Sequence, residues 1–305
     1  MYRCNTCGSG YLDPRPNSAT IGLAYSSYHT HTSVIDVEQS VKSAWRRHRI
    51  AQRNAYLNSA YGYELYPSNA RSPYCVSRDR RQRWDKQVGY LRYPGRGARL
   101  LDIGCGNGRF LLQMRAAGWD VSGVEADPAS AAQAIEAGLN VKVGTLENLA
   151  LPDSYFDAVS LHHVLEHLHR PLETLRRCRA VLKPGGTIVI ATPNFSAVGH
   201  VTFGPDWFPL QSPTHLVLFT PESLRLALEM AGFVPEPLCR LRLVAMEIYR
   251  KSFHIYRRGN PMRLQPPLSL FDKMCVAWLA WKANRTARIQ PGLAEELVLL
   301  ARRKD

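Results

Sequence analysis

Residues 100–108 read Leu-Leu-Asp-Ile-Gly-Cys-Gly-Asn-Gly, an apolar run that ends in an acid and three alternating glycines. Gly104, Gly106 and Gly108 permit a tight turn and a close approach of backbone to ligand, and a following helix would present its N-terminal N–H groups there. A dinucleotide fingerprint wants its third glycine at position 109, which is Arg. Asp102 inside the strand end would repel a pyrophosphate and suits a ligand carrying an ammonium or sulfonium group. A second cluster, His162-His163-Val164-Leu165-Glu166-His167-Leu168-His169, holds four histidines in eight residues. His163 through His167 formally matches the H-x-x-E-H pattern of zinc proteases. That pattern needs a long helix, whereas here an apolar strand enters from one side and Pro171 follows at once. A metalloprotease is set aside.

The elements that must hold these groups alternate regularly. Ala98–Ile103 reads as a strand, Arg109–Ala117 as a helix closed by Gly118, and Asp120–Val124 as a strand. Pro128–Ala137 is a helix stopped by Gly138, Asn140–Val143 a third strand and Phe156–Leu161 a fourth. Pro171–Leu182 is a helix stopped by Pro184-Gly185-Gly186, and Thr187–Ala191 a fifth strand. This alternation predicts βαβ units, hence a parallel sheet with helices on both faces and ligands beyond the carboxyl ends of the strands.

From about Arg99 to Phe233 the chain resembles the class I S-adenosylmethionine-dependent methyltransferases, near the bacterial ubiquinone-type O-methyltransferases. The residues carrying the likeness are Asp102-Ile103-Gly104-Cys105-Gly106-Asn107-Gly108, Glu125 in Val-Glu-Ala-Asp-Pro, Leu165-Glu166-His167 and the Leu182–Thr187 turn. The resemblance implies a Rossmann-like, seven-stranded, mostly parallel α/β sheet with helices on both faces, and S-adenosyl-L-methionine as cofactor. It implies that Gly104–Gly108, with Cys105 as a small loop filler, wrap the methionine part, and that Asp102 meets its amino group. Glu125, followed by Ala126, would accept from both ribose hydroxyls, a task suited to a carboxylate with two acceptor oxygens. The family's usual adenine-binding Asp is missing from Gly144-Thr145-Leu146-Glu147; Thr145 would accept a weaker bond and the Leu146 N–H would meet the ring.

For the methylated hydroxyl a base is needed, and a histidine near its ordinary pKa fits. His162 and His163 are the first candidates, His162 also bordering the cofactor, and His215 is the second. In ubiquinone-type relatives a Glu three residues before the Glu-His pair helps hold a divalent metal. The set here would be His163, Glu166 and His167, with imidazole suiting Zn²⁺ or Fe²⁺ better than Mg²⁺. The expectation is no metal, Glu166 and His167 orienting the turn instead.

The flanks are less informative. Of 305 residues, those at 1–98 carry 15 basic and 6 acidic side chains, the middle is near neutral, and the whole chain stands at +14. The expected division is 1–97 as a knuckle plus basic helical extension and 98–305 as the methyltransferase domain. Within the latter, a lid-like insertion at about 196–219 and an amphipathic one at about 250–290 are expected. The extension's helices are read at Val41–Leu57 and Arg78–Tyr93. Arg46–Arg49 and Arg78–Arg83 could attract nucleic acid or an anionic membrane; lacking interleaved aromatics, they read as solvated faces. Cys4-Asn5-Thr6-Cys7 supplies two of zinc's four ligands, with Cys75, His29 and His31 the only neighbours to complete it, so stable zinc is not expected. Tyr25 and Tyr28 resemble an aromatic segment that covers the cofactor in relatives. Trp207, Phe208 and His215 would close the acceptor pocket or cover the sheet. Leu264–Ala283 would touch a membrane or an oligomer partner or, as expected, pack on its own domain.

Seven cysteines argue against a disulfide scaffold, and no leader pattern is visible, so a cytoplasmic enzyme is expected. Its partner is a small-molecule acceptor, a phenolic or quinone precursor or a sugar, methylated on oxygen. An RNA methyltransferase and a degenerate, non-enzymatic scaffold are the alternatives; the oligomeric state is open.

Overall fold

A computed structural model describes residues 1–17, 20–25, 44–68, 76–237, 244–258 and 268–305. The side chain of Tyr25, together with Tyr28, His29, His31 and Cys75, lies outside them. The elements are, in order, β1 (Tyr2–Arg3), β2 (Gly10–Tyr11), α1 (Ile21–Tyr25), α2 (Ala44–Tyr61), α3 (Arg78–Gln87), β3 (Arg99–Ile103) and α4 (Arg109–Ala116). They continue with β4 (Asp120–Glu125), α5 (Pro128–Glu136), β5 (Asn140–Val143), β6 (Phe156–His162), α6 (Pro171–Val181), β7 (Leu182–Pro193) and α7 (Val198–Phe203). The last are β8 (Val217–Leu218), α8 (Pro221–Met230), β9 (Phe233–Pro235), α9 (Ala245–Arg258), α10 (Leu270–Ile289) and β10 (Glu296–Arg303).

Seven of these strands form one sheet in the order β5-β4-β3-β6-β7-β10-β9. β3 pairs in parallel with both β4 and β6, so the chain runs first to one side of β3 and then to the other. The carboxyl end of β3 is therefore a topological switch point, where a ligand crevice opens in such sheets. Leu100 and Leu101 on β3 and Leu111 and Met114 on α4 are fully buried, each stabilising the layer by about 1.5–3 kcal/mol. The seven-stranded α/β architecture is the one expected.

Some boundaries differ. β7 begins at Leu182 and runs through the Pro-Gly-Gly turn, Gly185 taking φ +71°. α3 stops at Gln87, not Tyr93: Gly89 and Tyr90 both have positive φ, and a Cβ on Gly89 would press on the Phe110 ring. Thr220 caps α8 as a reciprocal box with Ser223.

The chain divides into two compact units that do not follow the boundary expected at residue 97. One comprises His29–His162, Arg176–Val189 and Arg302–Asp305. There Tyr63 stacks on Tyr93, its hydroxyl donates to the Leu91 carbonyl, and it accepts from Trp119 Nε1 at 3.2 Å. The helical extension is thereby tied to the strands it precedes. The other unit comprises Met1–Tyr28, His163–Leu175 and Ile190–Ala301. In it β2 pairs with β1 and with β8, placing the Cys4–Cys7 turn at the end of a small three-stranded sheet. The lid-like insertion becomes α7, two 3₁₀ turns and β8. Trp207 is not a pocket wall; it is 1% exposed and donates from Nε1 to Glu295 at 2.9 Å. Phe208 carries the Lys251 ammonium over its ring at 4.4 Å.

Candidate functional site

In the unit built on β3, the strand tips collect the expected groups. Gly104, Gly106 and Gly108 all have φ between +54° and +78°, a region that favours glycine. Their reasons differ. A Cβ on Gly106 would meet nothing within 4 Å, so open space lies beside that backbone, whereas one on Gly108 would collide with Leu139 and Ala134. Gly108 thus serves the seating of α4, and Gly106 borders the crevice. The Cys105 sulfur fills the space over Gly123, and burial pushes its thiol pKa up.

Glu125 ends β4 and reaches back to this loop. Its Oε2 accepts from the Gly106 N–H at 2.7 Å and its Oε1 from the Asp127 N–H at 2.8 Å. Two backbone donors fix the carboxylate plane while each oxygen keeps a free lone pair. Asp127 caps α5, accepting from Ala129, Ser130 N–H and the Ser130 hydroxyl. Ala126, between the two acids, is exposed.

Asp102 is buried beneath the loop. Burial raises its pKa to about 7, the Ser160 hydroxyl donating to Oδ1 at 2.6 Å pulls the other way, and the nearby Glu125 charge adds to the rise. A cation placed in the open space next to this loop would offset the burial that disfavours the ionised carboxylate. His162, a quarter exposed, puts Nδ1 3.8 Å from Asp102 Oδ1 and rests edge-on against Phe110 at 4.7 Å. Thr145 is exposed, and Leu146 sends its side chain into the core, leaving only main chain to offer a ligand.

In the other unit lies the histidine cluster. His163 is not the free base it was expected to be. Its Nε2 lies 2.6 Å from Glu296 and its Nδ1 3.3 Å from Glu166, both carboxylates buried. Burial opposes the charge, yet Glu296 and Glu166 together hold the imidazole proton well above its ordinary value. An imidazolium clamped between two carboxylates does not accept a second proton. Its φ of +57° is strained for a non-glycine residue, and its N–H donates to the Ala191 carbonyl at 2.8 Å.

Glu166 is fully buried on a 3₁₀ turn, Leu165–His167. Burial alone would raise its pKa, but the His163 hydrogen bond and charge, with lesser help from His215 and His167, hold it down near about 2. Thr192 donates to its second oxygen at 3.0 Å. His167 Nδ1 faces the Thr214 carbonyl and His215 Nδ1 the Pro209 carbonyl, the two rings meeting edge-on at 4.6 Å. Burial lowers the His215 pKa to about 4, Glu166 opposing, so the ring is neutral at neutral pH and shut from solvent.

The expected metal set also changes. Among the described residues, Glu166, His167 and His215 bring ligand atoms within 4.8 Å of one another; His163 is not in that group, and its two ring nitrogens face Glu166 and Glu296 instead. The charge does not suit a cation either: Glu166 is neutralised by His163 and spends its second oxygen on Thr192. The cluster reads as a buried polar hub. Ser160, Thr192 and Glu296 were missed in the sequence; a Ser inside the apolar run of β6 and an acidic pair before the apolar β10 were the available signals.

The fold and strand-tip geometry meet the known proteins here. A family model described as "Methyltransferase domain" matches residues 76–238, and the chain belongs to that family. A ubiquinone biosynthesis O-methyltransferase of Cereibacter sphaeroides is 36% identical over 154 residues, covering 47% of this chain and 62% of that protein. One from Caulobacter vibrioides is 34% identical over 156 residues with the same coverage. The match thus spans less than two thirds of these relatives' length. A solved S-adenosylmethionine-dependent methyltransferase from Mesorhizobium loti is 20% identical with a TM-score of 0.48, covering 73% of this chain and 98% of that one.

Proposed function

We propose that the chain binds S-adenosylmethionine at the β3–β4 tips and transfers its methyl group to a hydroxyl of a small phenolic, quinone-precursor or sugar acceptor. The observation that carries the reading is the Glu125 carboxylate pinned by two loop N–H groups above buried Asp102. S-Adenosylmethionine supplies, when bound, a sulfonium-activated methyl group. Asp102 receives the ammonium end and Glu125 the ribose diol, two points that fix the donor's direction for in-line displacement. The relatives named as ubiquinone O-methyltransferases support an oxygen acceptor. His162 is the base this geometry leaves, since His163 is clamped and His215 is sealed in the core.

Methyl transfer to simple catechols and to nucleotide sugars, followed with labelled donor, tests the reading. His162→Asn is expected to lower kcat at neutral pH by about 10²–10⁴-fold with little change in donor affinity. Chelator treatment leaves the rate unchanged. Equal loss of donor binding in His162→Asn would move that residue from base to cofactor contact.

Asp102 gives a pH signature. The bound ammonium favours the ionised carboxylate, so S-adenosylhomocysteine affinity should rise as pH passes upward through about 7. Proton release on binding, read by calorimetry in buffers of different ionisation enthalpy, checks it, and Asp102→Asn should abolish that release.

A further inference from the structure

α10 is built inside out. Its packed face is small, with Val276, Ala280, Ala283 and Ala287 buried. Val276, Ala280 and Ala283 share a cluster with Ala245, Tyr249 and Phe253 of α9. Its large apolar residues point the other way: Phe271, Met274, Trp278 and Trp281 are each 57–70% exposed. Their spacing of three, four and three residues draws one line about 15 Å long on the helix. Leu270 and Ile289 extend the exposed set at either end. A helix that buried only its own core would turn these side chains inward. Packing on its own domain, the expectation for this segment, accounts for the alanine face alone.

The charges beside the ridge are selected. Lys282 stands over the Trp278 ring at 5.7 Å and Arg285 over Trp281 at 5.5 Å. The one acid of the helix, Asp272, is bridged to Arg257 of α9 at 3.3 Å and accepts from the hydroxyl of the N-cap Ser269. The exposed indoles are thus flanked by the Lys282 and Arg285 cations. Indole rings and snorkelling basic side chains favour a bilayer interface, and cations beside them are drawn to an anionic surface. A second copy meeting this face about a twofold axis would bring like charges together. No helix among the described residues is long and apolar enough to cross a membrane, so any lipid contact through this helix is peripheral.

We infer that the outer face of α10 is a docking ridge for an anionic lipid surface, with Phe271, Met274, Trp278 and Trp281 entering the interface and Lys282 and Arg285 meeting the headgroups. The inference stands apart from the methyl-transfer reading, because vesicle binding needs neither donor nor acceptor. The test is co-sedimentation of the full chain with phosphatidylcholine vesicles containing about a third phosphatidylglycerol, against pure phosphatidylcholine, at low and high salt. The chain should pellet with the anionic vesicles and be released by salt. Trp278→Ser/Trp281→Ser and Lys282→Glu/Arg285→Glu should each weaken binding at least about tenfold, with unchanged circular dichroism and thermal midpoint. Absence of wild-type binding at low salt overturns the inference. So does undiminished binding by both variants, which would assign lipid contact to the N-terminal arginines, or a dimer that the tryptophan variant dissociates.

Discussion

Glu125→Ala is expected to weaken S-adenosylhomocysteine binding by at least about 10²-fold while leaving the fold intact. The side chain is half-exposed and its partners are two backbone N–H groups, both of which water can satisfy when it is gone. A bound nucleoside would lose two charge-assisted hydrogen bonds at once, each contributing about 1.5–3 kcal/mol. Calorimetric titration reads the affinity and a thermal melt the fold. Gly106→Val should act alike for another reason: its side chain would enter the open space beside the loop and strain a backbone at φ +54°. An affinity unchanged in Glu125→Ala would place the nucleoside elsewhere.

The largest stability effect belongs to the other unit. Glu166→Gln should cost about 1–3 kcal/mol at neutral pH, since a buried carboxylate that accepts from His163 and Thr192 gives way to a neutral amide while Glu296 still partners the half-exposed imidazolium. The sign of its pH dependence follows from the depressed pKa. Glu166 contributes fully above about 4.5, and that contribution disappears as pH falls toward about 2. Wild type should therefore show an acid-labile component that Glu166→Gln lacks. Urea unfolding across that range measures both; a cost below about 1 kcal/mol would mean that Glu296 alone suffices to hold His163.

The strand-tip half of the candidate site was legible because it is local. Asp102, the glycine turn and Glu125 lie within two βα units, and the residue types needed for a left-handed turn and a diol acceptor are few. The histidine half was not. Reading His163 as a free base took no account of its backbone, which sits at positive φ ahead of a short 3₁₀ turn. The partner that decides its chemistry, Glu296, is 2.6 Å away in space and more than a hundred residues away in sequence. His215 failed as a candidate base for a similar reason: the Pro209 carbonyl fixes its tautomer and the core closes over it, neither of which spacing reveals. Trp207 was ambiguous until Glu295 supplied a buried acceptor for its indole. α10 shows the reverse difficulty, because its sequence is apolar on both faces and only the structure tells which one is covered.

One titration bears on the whole account: S-adenosylhomocysteine into the wild-type chain at micromolar protein. Saturable one-to-one binding, with comparable affinity for S-adenosylmethionine and none for NAD, is the predicted result. No heat at ligand excess, or equal preference for the dinucleotide, would contradict it.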